Sequence, residues 1–153
     1  MLEAVREAAG EAIERGAASV EVTSVKELYG ADAVYEAPVV VLHPRNPRAA
    51  RLVVEVQDGQ WWASAAGGPG FELWEGGPEE WLGEVRAMVA AVVAGRYEDG
   101  MAERRHRSLL RPWIWKTRTA WEGTFHTTRG PISTSHLWRG SPAGPPRRRF
   151  EPY

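Results

Sequence analysis

The 153-residue chain contains no cysteine, which excludes a disulfide framework, thiolate catalysis and every metal site built on thiolates. Lysine is nearly absent too: of the 19 basic residues only Lys26 and Lys116 are lysine. GC-rich coding produces such a bias toward arginine, alanine and glycine, so arginine counts alone carry no functional argument. Long apolar runs are missing as well. The longest, 88–94, falls far short of the roughly 20 residues a membrane-spanning helix needs. The opening MLEAVRE places acids where a secretory leader needs bases, and the expectation is a cytoplasmic chain without membrane association.

Several motifs are missing. There is no G-x-x-x-x-G-K-[ST] run and no G-x-G-x-x-G between a strand and a helix. The Gly-Gly-Pro segments at 67–69 and 76–78 read as loop punctuation. Ser64 has no flanking glycines, so no nucleophile elbow exists. His43, His106, His126 and His136 form no H-E-x-x-H pair, and neither a metal nor a cofactor is expected.

What is present is segregated charge. The formal net charge is −1, yet 1–103 holds 8 Lys and Arg against 18 Asp and Glu, net −10, while 104–153 holds 11 against 2, net +9. With 16 Gly and 11 Pro, the chain has the turn content of a strand-rich domain rather than a helical bundle.

The apolar spacing of Leu2, Val5, Ala9, Ala12 and Ile13 predicts a helix over 2–15. Val20 and Val22 alternate with polar residues as in a half-buried strand. Val39-Val40-Val41-Leu42 fits a central strand covered on both faces, with Pro38 at its start. Asp58-Gly59 between 51–57 and 60–64 is the preferred two-residue hairpin turn. It fixes a register in which Gln57 faces Gln60, Val56 faces Trp61 and Val54 faces Ala63, with Glu55 and Trp62 on the other side. A brief strand is expected at 71–74. Pro78, Glu79 and Glu80 suit a helix start, and Trp81, Leu82, Val85, Met88, Val89, Val92 and Val93 make a broad apolar stripe over 78–96.

Beyond Asp99-Gly100 the apolar pattern fades. Trp113, Trp115 and Trp121 share one face of a strand pattern that packs most simply on the 78–96 helix, and Glu122-Gly123 reads as a reversal into 124–128. The Pro/Gly/Arg-rich 140–153 reads as a flexible tail, leaving 1–139 as a single domain. The expected fold is α+β: a largely antiparallel sheet of about five to seven strands, with the N-terminal and the long central helix packed on it.

Three functional expectations follow. The first is a non-catalytic protein-binding module, antidote-, chaperone- or regulator-like. Its acidic helical face, with Glu72, Glu75, Glu79, Glu80 and Glu84 beside Glu3, Glu7, Glu11 and Glu14, docks a basic partner, with Trp62 and Trp74 as aromatic anchors. The second is a nucleic-acid or phosphate-binding protein using Arg104, Arg105, Arg107, Lys116, Arg118 and Arg129, with tryptophans as stacking platforms. In a nuclease version His126 and His106 exchange protons while Lys116 and Arg118 stabilise charge, provided the faces match. The third is a small-molecule pocket lined by tryptophans.

Overall fold

A computed structural model describes residues 1–29, 33–57, 60–73, 77–107, 115–137 and 146–153. The fold is α+β and mostly strands, in two antiparallel sheets, one of five strands and one of four.

The N-terminal apolar spacing folds as two short helices, α1 (Leu2–Ala8) and α2 (Gly10–Glu14). The single helix expected over 2–15 is interrupted at Ala9, whose backbone leaves helical geometry (φ −101°, ψ 4°) just before Gly10, a poor helix former. Strands β1 (Ala18–Tyr29), β2 (Ala33–Pro44), β3 (Leu52–Gln57), β4 (Gln60–Ala65) and β5 (Phe71–Leu73) then form a meander in chain order. Asp58-Gly59 itself lies outside the described residues, but its flanks hold the register it implies: Gln57 opposite Gln60, Val56 opposite Trp61, Glu55 opposite Trp62 and Val54 opposite Ala63. The apolar run of β2 is central, with Val39 and Val41 buried on one face and Val40 and Leu42 on the other.

Helix α3 (Pro78–Val93) has Gly77 at its N-cap, where the Gly77 amide donates to Glu80 Oε2 at 3.1 Å. Its buried side chains, Val85, Met88, Val89, Ala91 and Val92, join Val5, Ala9 and Ala12 from the N-terminal helices. Together they cover the sheet face formed by Leu42, Leu52, Ala65, Val40, Val54, Ala63 and Phe71. Trp61 is half-buried against this core, with its ring 6.1 Å from that of Trp81.

The second sheet has the order β8-β7-β6-β9, built from β6 (Tyr97–Arg107), β7 (Trp115–Thr127), β8 (Gly130–Leu137) and β9 (Arg148–Arg149). The described residues form nine strands against the five to seven read from periodicity, in part because β6 carries too few apolar residues to show an alternation. Glu122-Gly123 is no reversal. β7 runs straight through it, and Gly123 lies buried opposite Asp99 because a Cβ there would sit 2.8 Å from the Tyr97 hydroxyl. Phe125 and Tyr97 carry this sheet into the core, their rings 4.7 Å apart and Phe125 also 4.7 Å from Phe71.

The composition of 140–153 suggests a flexible tail, yet its described end, 146–153, is docked. Arg148 pairs with the Asp99 carboxylate through Nε at 2.8 Å and through its terminal nitrogen at 2.5 Å, where Asp99 is only 2% exposed. The same guanidinium lies 5.4 Å from the centre of the Phe150 ring. Further along, the Tyr153 hydroxyl donates to the Ala50 carbonyl at 2.5 Å, and the Tyr153 amide donates to the Val93 carbonyl at 3.0 Å. Gly95, in the left-handed region at φ 68°, ends α3 where a Cβ would meet the Pro152 nitrogen at 2.6 Å.

Candidate binding surfaces

Glutamates recur on the faces of α1, α2 and α3 that the apolar stripes leave outward, and these helices lie on one side of the five-stranded sheet. The Arg86 guanidinium of α3 pairs with Glu7 of α1 at 2.9 Å, tying the two helices side by side. On this layer Glu3, Glu7, Glu11, Glu14, Glu79, Glu80 and Glu84 are all exposed. Within these helices and their caps Arg6, Arg15 and Arg86 oppose them, Arg86 engaged with Glu7 and Arg15 with Glu11 at 3.7 Å, and Arg129 from the turn after β7 brings a fourth guanidinium beside Gly83 of α3. The layer therefore presents a net negative field on a rigid two-helix base.

Of the acids expected in one patch, Glu79, Glu80 and Glu84 belong to this layer. Glu80 has a second task, because its carboxylate caps α3. Glu72 is elsewhere. It sits in the cross-sheet row Thr23, Val39, Glu55, Trp62, Glu72, on the face opposite the one α3 covers. Strand alternation explains this: Phe71 turns into the core, so Glu72 turns away. Trp62, in the same row, is half-buried with its indole nitrogen enclosed and, among the described residues, without a hydrogen-bond partner, its ring against Gly70. It is thus part of the sheet surface rather than a projecting anchor. Glu75 and Trp74 lie outside the described residues, as do Trp113 and Trp138.

The basic third divides into two places. One is the docked C-terminus, where Arg147, Arg149 at 3.2 Å and His126 at 3.4 Å surround the Glu98 carboxylate. The Arg147 hydrogen bond is the largest influence holding that carboxyl below its usual range, with His126 and Arg149 adding to it. The two guanidiniums are thereby partly neutralised. Burial, reinforced by the Asp99 carboxylate, pushes the neighbouring Tyr97 phenol well above its usual range.

The other place is the far end of the β6–β7 pair, where Arg104 faces Arg118, Arg105 faces Thr117, His106 faces Lys116 and Arg107 faces Trp115. His126 is ten residues along β7 from Lys116, about 33 Å at the rise of an extended strand. The pairing of His126 with Lys116, Arg118 or His106 that a two-histidine phosphodiester mechanism requires is therefore not formed. Arg129, in the turn after β7, lies beside α3, its guanidinium 3.7 Å from where a Gly83 Cβ would be. It too stands apart from the other basic positions of its set.

His43, at the end of β2, bonds Glu21 at 2.8 Å. Among the described residues no group of three His, Asp or Glu side chains is placed to hold a metal ion. Nor is any helix among the described residues long and apolar enough to cross a membrane. No protein-family model, no curated protein and no solved structure matches this chain.

Proposed function

We propose that this chain is a small protein-binding module whose acidic two-helix layer docks a basic surface on a partner protein. The supporting observation is that α1 and α3, linked by the Arg86–Glu7 pair, gather exposed glutamates from two distant stretches of sequence onto one layer. Complementary charge of this kind accelerates encounter and selects partners, and the packed apolar faces beneath hold the carboxylates on an ordered base. The docking residues are Glu3, Glu14, Glu79 and Glu84, with Glu7 and Glu11 shared between the layer's own arginines and a partner. Glu72 and Trp62, on the opposite sheet face, are not part of it.

The test uses a fluorescent deca-arginine peptide as the basic probe, titrated by anisotropy at rising salt. Wild type binds with an affinity that falls as salt rises. Replacing Glu3, Glu14, Glu79 and Glu84 by Gln weakens binding at least tenfold, whereas Glu21→Gln with Glu72→Gln changes it less than threefold. Equal affinity of wild type and the fourfold variant contradicts the assignment. For a partner purified with the protein, the same variant should lower the association rate constant.

A further inference from the structure

We propose that the free edge of β1 is a self-association site, where two copies of this chain pair their β1 strands antiparallel about a two-fold axis at Val22. β1 is the first strand of the five-stranded sheet, and among the described residues only β2 lies beside it. Ser19, Glu21, Val22, Thr23 and Ser24 are exposed, on both faces of the strand. Val22, 54% exposed, is the only large apolar side chain so placed among the described residues. The other described sheet edges are blunted: β5 ends after three residues, β9 after two, and β8 carries Pro131. β1 runs for twelve residues without proline, and over 18–24 its one charged side chain, Glu21, is bonded by His43 at 2.8 Å.

The hydrogen-bonding phase of this edge follows from β2. The Arg45 amide donates to the Ala17 carbonyl at 2.8 Å, so the odd-numbered residues of β1 turn their backbone groups toward β2. Pro38 and Pro44, which have no amide hydrogen, sit opposite Ser24 and Ala18, in the rows that need none. The N–H and C=O of Val20 and Val22 therefore point away from the sheet. A second copy turned by the two-fold axis points the same groups back. In the register centred on Val22, the two Val22 residues exchange both backbone hydrogen bonds, and each Val20 meets position 24 of the other copy. That register sets the two exposed valines side by side and Glu21 opposite Thr23, whereas a register centred on Glu21 would set two carboxylates together.

The axis is normal to the sheet, so each face is kept, and the pair forms one ten-stranded sheet with both helix layers on the same side. α2 leads into β1 at Ala18, and the two Ala18 residues lie about 27 Å apart along the strand direction at the antiparallel rise. The helix ends leading into them are thus separated by about three Debye lengths at physiological salt, and repulsion between the two acidic layers is screened. An interface made by a strand edge belongs to the weak, transient class that buries less than about 1,200 Å². This site is independent of the docking surface on the helix layer, and either can fail without the other.

The test combines sedimentation equilibrium of the full chain, from about 5 to about 500 μM, with cross-linking of single-cysteine variants, which the absence of native cysteine makes specific. Wild type passes from monomer toward dimer mass across that range. Val22→Lys, which sets two ammonium groups together at the axis, weakens association at least tenfold, whereas Glu72→Lys on β5, the opposite edge of the sheet, changes it less than threefold. Under mild oxidation Val22→Cys forms a disulfide-linked dimer at least tenfold faster than Ser19→Cys. The reason is distance: the opposed Cα atoms at position 22 lie about 5.5 Å apart, within disulfide reach, and those at position 19 about 20 Å apart. The proposal is overturned by monomer mass at every concentration, by undiminished association of Val22→Lys, by an equal loss in Glu72→Lys, or by equal cross-linking rates of the two cysteine variants.

Discussion

The two ends of the β6–β7 pair show how one hairpin divides its work. At the inner end, Tyr97 and Phe125 are fully enclosed, Gly123 leaves room for the Tyr97 hydroxyl, and the buried Asp99 carboxylate is held by Arg148 from the C-terminal strand. At the outer end the register places Arg104 opposite Arg118, Arg105 opposite Thr117 and His106 opposite Lys116, polar residues throughout. Substitutions at the inner positions should therefore cost more folding stability than those at the outer ones.

The largest effect is expected at Arg148. Arg148→Ala leaves the Asp99 carboxylate buried without its partner and should cost about 3–5 kcal/mol in denaturant unfolding. A loss below 1 kcal/mol would show that the docked C-terminus contributes little to the inner end. Next is Gly123→Ala, which drives a methyl group into the Tyr97 hydroxyl and should cost about 1–3 kcal/mol. Adding Tyr97→Phe, which removes that oxygen, should recover part of the loss, and purely additive effects would refute the contact. Glu80→Ala removes the carboxylate that receives the Gly77 amide and should lower stability by about 0.5–1 kcal/mol through α3 alone.

A smaller effect concerns pH. Glu98 has its folded-state pKa depressed, first by the Arg147 hydrogen bond. Its contribution is therefore present above the ordinary carboxylate pKa and is lost as pH falls through the depressed value. Wild type should exceed Glu98→Gln in stability at pH 7, and the two should converge in acid melts. A difference that widens on acidification would reverse the sign of the interaction. The smallest effect on folding belongs to the exposed carboxylates of the helix layer: each of Glu3→Gln, Glu14→Gln, Glu79→Gln and Glu84→Gln should change stability by less than about 0.5 kcal/mol.

How far the sequence revealed this arrangement depended on the range of the interactions involved. The β3–β4 register was legible because Asp58-Gly59 and the period-two pattern are local signals. Helix α3 was legible from its stripe and from Pro78 at its start. The docked C-terminus was not, because what retains Arg148 is Asp99, 49 residues away, and what retains Tyr153 is the Ala50 carbonyl, 103 residues away. Gly123 resembled a turn because the residue demanding its small size, Tyr97, lies on another strand.

The acidic layer was visible only in fragments. The glutamates of α1 and α3 stood out as separate runs, and the Arg86–Glu7 pair joins them across 79 positions. Glu72 was grouped with them by proximity in sequence, although strand alternation after Phe71 already placed it on the other side of the sheet. The basic residues of β6 were recognised as such, but β6 has no apolar alternation to mark it as a strand. Its partner β7 consequently seemed to pair with 124–128 rather than with 97–107.

The acidic layer is tested most directly by one anisotropy measurement at 150 mM salt, in which wild type and the fourfold Glu→Gln helix-layer variant are each titrated against deca-arginine. The predicted result is that the variant binds the peptide at least tenfold more weakly than wild type. Equal affinities would contradict the docking surface.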